Sequence, residues 1–362
     1  MSASASTHLL PEKRFQLNAR VSGAPQTKAV LAVQGLAPSE SGKVRTWIIV
    51  ILVIMLVLGA VVIIRGTLRA VETKLLYRTK PAEAFADVFK LGNAAAFMRL
   101  GIKSYNVPAH SVQSDTAAVQ VPVPAASKAH GSGAGTQFGL RYLALVNQTC
   151  AGSVVLLHGN SGTAAGMMRV LGSQLMCRNL SVFAPEYPGY AGDASKPSEA
   201  ALLANVVAFL DHIVATGHAI PGKPLLLLGH SLGAAVAVHV ASKRLAAVHS
   251  VVLVAPISRV SDVLSARVPY VPFHWLVHDN FDACAWARLT VCPVTIVHGT
   301  ADVIVPSRIS TNLARCFPVP PRVIDLEGAT HNDLFDTHSD GIWRAIEDSV
   351  ADAERFHAVT AH

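Results

Sequence analysis

A chain of 362 residues with 51% hydrophobic side chains has material for a sizeable core, which excludes disorder for most of its length. The net charge of +7 comes from scattered Lys and Arg residues, with no basic run interleaved with aromatics and no nucleic-acid motif, so a nucleic-acid partner is excluded. Cys150, Cys177, Cys284, Cys292 and Cys316 show neither CxxC spacing nor a His/Cys cluster. They read as buried free thiols, with no metal site, no disulfide framework and no cofactor indicated.

Residues 1–46 are Ser/Ala-rich and read as a mobile tail. "WIIVILVIMLVLGAVVII", 47–64, then runs without a charge or a proline. At about 1.5 Å per residue these positions would make a helix roughly 27 Å long, near the hydrocarbon thickness of a bilayer. The stretch is too far from the start for a signal peptide and no cleavage pattern follows it. It therefore reads as a single transmembrane helix, with the lipid bilayer as partner. Lys43 and Arg45 flank it on the amino side, against Arg65, Arg69, Lys74 and Arg78 on the carboxyl side. By the positive-inside rule the following domain is expected on the cytoplasmic face, and the sequons at Asn147 and Asn179 are then chance matches.

From residue 70 to 357 the chain reads as one α/β domain. Candidate strands are Gly139–Val146, Ser153–His158, Ser181–Glu186, Leu225–Gly229, Val251–Ala255, Val294–His298 and Arg322–Leu326. Candidate helices are Ala164–Cys177, Ser198–Ala215, Leu232–Lys243, Ser307–Cys316 and Gly341–His357. Short apolar runs alternating with helices predict a mostly parallel sheet covered on both faces. Residues 110–136, Pro/Ala/Ser/Gly-rich, read as an inserted surface loop. Their GxGxG has no strand-to-helix context and implies no dinucleotide.

"LLLLGHSLGAAVAVHV" places Gly229, His230, Ser231, Leu232 and Gly233 between a buried strand and a helix. That is a G-x-S-x-G nucleophile elbow in the required context. The flanking glycines leave room for a sharp turn that lifts the Ser231 hydroxyl clear of the sheet. Further on, Asp302 follows the strand "VTIVHG" and His331 follows the last strand. A serine hydroxyl needs a histidine to take its proton, and the imidazole needs a carboxylate to fix its tautomer. Ser231, Asp302 and His331 come in the expected chain order for such a triad, at loops on one sheet edge. Asp279, Asp282 and Asp333 compete for the acid position, but none follows a clear strand end. The turn in "VVLLHGNSG" presents the Asn160 amide, which with that of Leu232 makes the candidate oxyanion hole. His158 and His298, each ahead of a glycine turn, read as structural hydrogen-bonding residues.

Taken together, "VVLLHGNSG", "APEYPGYAGDASKPSE", "LLLLGHSLGAAVAVHVAS", "VVLVAPIS", "PVTIVHGTADVIVP" and "GATHNDLF" resemble the α/β-hydrolase-domain serine hydrolases, in the membrane-associated group that includes protein depalmitoylases. The resemblance runs over about residues 70–350. It implies an α/β-hydrolase fold, the triad Ser231, Asp302 and His331, and an acylated protein or lipid-like ester as substrate, cleaved through an acyl-enzyme. Those depalmitoylases commonly reach membranes through a lipidated, cysteine-rich amino terminus, whereas no cysteine precedes Cys150 here. The short segment containing 268–281, "VPYVPFHWLVHDNF", implies a small lid or an open site, its aromatics lining a groove for an acyl chain, touching the bilayer or packing in the core. Two other readings use the same chain: a serine peptidase of the prolyl oligopeptidase-like clan, and a non-catalytic membrane binding protein that kept the fold.

Overall fold

The computed structural model describes residues 139–360 throughout, together with strand β1 (Lys103–Val107) and positions 48, 50–60, 62, 63, 66, 69, 73, 76 and 77. The chain divides into two units, Met1–Gly59 and Ala60–His362. In the first, positions 48 and 50–59 are helical, and side chains such as Leu52, Met55 and Leu56 are exposed. Among the described residues no helix is long and apolar enough to cross a membrane. Trp47, Ile49, Val61 and Ile64 of the apolar stretch lie outside the described residues, as do the tail 1–46 and the inserted loop 110–136.

Among the described residues, the second unit is built on an eight-stranded sheet. After β1 come β2 (Leu140–Leu145), β3 (Gly152–Leu157), β4 (Leu180–Glu186), β5 (Leu225–His230), β6 (Ser250–Val254), β7 (Val294–Gly299) and β8 (Arg322–Leu326). Their spatial order is β1-β2-β4-β3-β5-β6-β7-β8, with β2 antiparallel to both β1 and β4 and the remaining pairings parallel. Every residue of β3 and β4 is buried, as the continuous apolar runs require of strands covered on both faces. The pleat sorts them: Leu225 and Leu227 face one core with Val206, Phe209 and Val236, while Leu226 and Leu228 face the other with Met168, Leu175 and Ile346.

The first core is roofed by the helices Glu199–Ala215, Leu232–Lys243 and Ser307–Ala314, the second by Ala164–Met167, Ser173–Cys177 and Ser339–Thr360. A π-helical turn, Met168–Gly172, joins Ala164–Met167 to Ser173–Cys177, so the expected single helix over 164–177 has three parts. Between β6 and β7 the chain makes three short helices, Val260–Arg267, Phe273–Leu276 and Ala283–Ala287. In this excursion Tyr270 and Trp275 stand in solvent while Phe281 is buried. Tyr77 anchors its base, with its hydroxyl donating to Asp279 Oδ2 at 2.7 Å and its ring edge-on to Phe281.

The cysteines correct one expectation. Cys284 and Cys316 form a disulfide, with Cα atoms 5.3 Å apart, and of the three free cysteines Cys177 is exposed. Their 32-residue separation gives no motif. The pair meets because the helix Ala283–Ala287 packs against the end of Ser307–Ala314.

Candidate active site

In the sheet, β4 lies on one side of β3 and β5 on the other, so the connection leaving β3 (to β4) and the one leaving its neighbour β5 (to β6) run in opposite directions. At such a switch point the loops leaving the carboxyl ends diverge and open a crevice. The sequence-predicted site residues follow strand ends on this edge: Asn160 follows β3, Ser231 and Leu232 follow β5, Asp302 follows β7 and His331 follows β8.

Ser231 is the N-cap of the helix Leu232–Lys243 and holds φ 55°, ψ −114°, a left-handed conformation that costs a non-glycine residue about 1–3 kcal/mol. Its N–H donates to the Val254 carbonyl at 2.9 Å, tying the turn to β6. Close packing explains the flanking glycines. A Cβ on Gly229 would stand 2.6 Å from Ala234 Cα, and one on Gly233 would stand 2.5 Å from the His158 carbonyl oxygen. The elbow therefore presses helix, β5 and the loop after β3 together with no space for a methyl group. That loop reaches the serine itself: a Cβ on Gly159 would sit 3.2 Å from Ser231 Cβ and 3.2 Å from His230 Nδ1.

Asp302 and His331 meet 29 residues apart in sequence, with His331 Nδ1 2.7 Å from Asp302 Oδ2. Both side chains are buried. The other carboxylate oxygen, Oδ1, accepts the backbone N–H groups of Ile304 and Val305, each at 2.8 Å. Burial pushes the Asp302 carboxyl up, but the hydrogen bond and charge of His331 and the Val305 N–H outweigh it and leave it below the ordinary aspartate value. An ionised Asp302 accepts the Nδ1–H of His331, which leaves Nε2 as the basic nitrogen. The His331 ring lies 5.0 Å from the ring of His230, the neighbour of Ser231.

The competing acids are occupied elsewhere. Asp279 accepts from Tyr77, Asp282 caps the helix Ala283–Ala287 and pairs with Arg259 at 3.0 Å, and Asp333 accepts the Thr330 N–H at 2.7 Å. His298 is held as a neutral strut: Nε2 donates to the Val305 carbonyl at 2.8 Å and Nδ1 accepts from Ser310 Oγ at 2.5 Å. Burial pushes its imidazole below the ordinary histidine value.

One residue escaped the sequence reading. Glu186, at the end of β4, is buried with His158, its Oε1 2.9 Å from His158 Nε2 and its Oε2 accepting the Ala164 N–H at 3.0 Å. Its only sequence signal was an acid closing an otherwise apolar, fully buried strand.

A model of the α/β hydrolase family matches residues 154–280. An uncharacterised protein of Mycobacterium tuberculosis is 30% identical over 220 residues, covering 59% of this chain and 77% of that protein. The α/β hydrolase domain-containing protein 17C of Xenopus tropicalis is 30% identical over 193 residues, 50% of this chain and 56% of that one. Among solved structures, a monoacylglycerol lipase from Paleococcus ferrophilus aligns with 59% of this chain and 99% of its own, at 21% identity and a TM-score of 0.46. With sheet order, elbow and relatives in accord, the chain belongs to the α/β hydrolase family.

Proposed function

We propose that this protein is a membrane-anchored serine hydrolase that cleaves acyl esters or thioesters, with acylated proteins or lipid-like esters as its substrate class. The observation that carries the reading is the buried 2.7 Å contact between His331 Nδ1 and Asp302 Oδ2, together with a left-handed Ser231 whose neighbour His230 has its ring 5.0 Å from that of His331. In this account His331 Nε2 takes the Ser231 proton as Oγ attacks the acyl carbon. The Asn160 and Leu232 amides stabilise the resulting oxyanion. The same imidazole then protonates the leaving thiol or alcohol, and the acyl-enzyme is hydrolysed by water that His331 deprotonates.

The apolar stretch 47–64 supports the anchor, and the resemblance to membrane-associated depalmitoylases supports the acyl substrate. The exposed Tyr270 and Trp275 fit a bilayer interface, where amphipathic rings are favoured. The test is turnover by detergent-solubilised protein of p-nitrophenyl acyl esters, an S-acylated peptide and a peptide p-nitroanilide. Ester and thioester hydrolysis with an initial burst, lost in Ser231→Ala, is expected; faster cleavage of the anilide would contradict it.

Orientation has two readings. The Lys/Arg excess after residue 64 supports a cytoplasmic catalytic domain, whereas the Cys284–Cys316 bridge favours an oxidising compartment. Counting reactive thiols after denaturation of membranes quenched with a thiol blocker decides between them. All five cysteines block in a reducing compartment, and only the three free ones in an oxidising compartment.

A further inference from the structure

The loop after β3 is gripped at both ends by one carboxylate. Glu186 Oε1 lies 2.9 Å from His158 Nε2, at the start of the loop, and Oε2 accepts the Ala164 N–H at 3.0 Å, just past its end. His158 Nδ1 faces the Gly159 carbonyl at 2.9 Å and donates to it, since a carbonyl can only accept. Tyr187 adds a third restraint, its hydroxyl donating to the His158 carbonyl at 3.0 Å and its ring centred 4.0 Å from the imidazole, tilted by 34°. Inside these restraints Gly162 N–H closes a turn onto the Gly159 carbonyl at 3.0 Å. Gly159 in turn packs so near Ser231 and His230 that an added Cβ would stand 3.2 Å from Ser231 Cβ and from His230 Nδ1.

A buried carboxylate is costly to desolvate unless each oxygen has a partner, and Glu186 gives one oxygen to each end of the same loop. A lone structural ion pair would satisfy itself with His158; the second bond fixes the distance between residues 158 and 164. From this we propose that Glu186 is a positioning residue. Acting through His158 and the Ala164 amide, it holds Gly159–Thr163 in the shape that aims the Asn160 N–H at the oxyanion formed on Ser231. The inference rests on the acyl-transfer reading above.

Donors aimed at an oxyanion act on the transition state and not on the bound ester, so misplacing one lowers kcat and leaves KM in place. The experiment uses the full chain in detergent, with a short-chain p-nitrophenyl ester, and counts competent sites by complete labelling of Ser231 with a fluorophosphonate. Per labelled site, Glu186→Ala is expected to lose on the order of 10²–10³-fold in kcat, the range for a lost oxyanion donor, with KM within about threefold. Glu186→Asp keeps the charge but is one methylene too short to reach both partners, and is expected to lose at least about tenfold. Glu186→Gln can accept from Ala164 and donate to His158, so it should stay within about tenfold of wild type. Should Glu186→Ala not fold, the Asp variant carries the test. Wild-type kcat per labelled site in Glu186→Asp, or a Gln variant as impaired as the Ala variant, would overturn the proposal. Wild-type protein that fails to label would instead overturn the acyl-transfer reading beneath it.

Discussion

The His230 ring sits against His331 and Phe335 with its Nε2 shielded from solvent and unpartnered among the described residues. Burial, and then the charge of His331, push its imidazole down to about 3. Below the ordinary value near 6.5 the unfolded chain takes up a proton that the folded state refuses until about 3. Stability from this group is therefore complete above pH 6.5 and drains away as pH falls toward 3, by an amount on the order of a few kcal/mol. His230→Gln, neutral at every pH, should flatten the fall in urea midpoint between pH 7 and pH 4; an unchanged slope would refute the assignment. Asp302→Asn keeps the size of the side chain but disturbs the tautomer of His331, and should lower kcat by roughly 10³–10⁴-fold with little change in KM. Steady-state kinetics on the ester substrate checks it. The places of Ser231, Asp302 and His331 after the ends of β5, β7 and β8 were legible in the sequence because each strand is a readable apolar run. Glu186 was not, because its meaning depends on His158 and Ala164, which share no spacing rule with it.

At the scale of elements, the elbow is defined by what it leaves no room for. Gly233→Ala would drive a methyl group onto the Leu157 and His158 backbone, which cannot yield as a flexible side chain would. A loss of about 3 kcal/mol is expected, measured as a lower urea midpoint, with Ser231 displaced and labelling slowed. The seven strands from β2 to β8 were legible as apolar runs, since strands sandwiched between helices are apolar on both faces. β1, "KSYNV", pairs among the described residues only with β2 and has no such run. Short helices such as Phe273–Leu276 are set by tertiary contacts and carry no readable period. The Cys284–Cys316 bridge was hidden for a related reason, as two helices distant in sequence have to pack before the thiols are neighbours.

For the whole molecule, the proposed function pairs a hydrolase unit with a bilayer anchor over residues 47–64. The apolar stretch was read from length and absence of charge, and its test is physical. Full-length protein should stay with membranes through alkaline carbonate extraction. Leu52→Arg with Leu56→Arg, at about 2.5–3.5 kcal/mol per central charge, should release it to the supernatant. The central claim, an activated serine at the crevice where strand order reverses, is tested most directly by fluorophosphonate labelling of the full-length protein, read by intact mass and peptide mapping. The account requires one adduct, on Ser231, in wild type, none in Ser231→Ala, and labelling slowed by orders of magnitude in His331→Ala. Folded wild-type protein that takes up no adduct, or labelling that persists unchanged in His331→Ala, would contradict it.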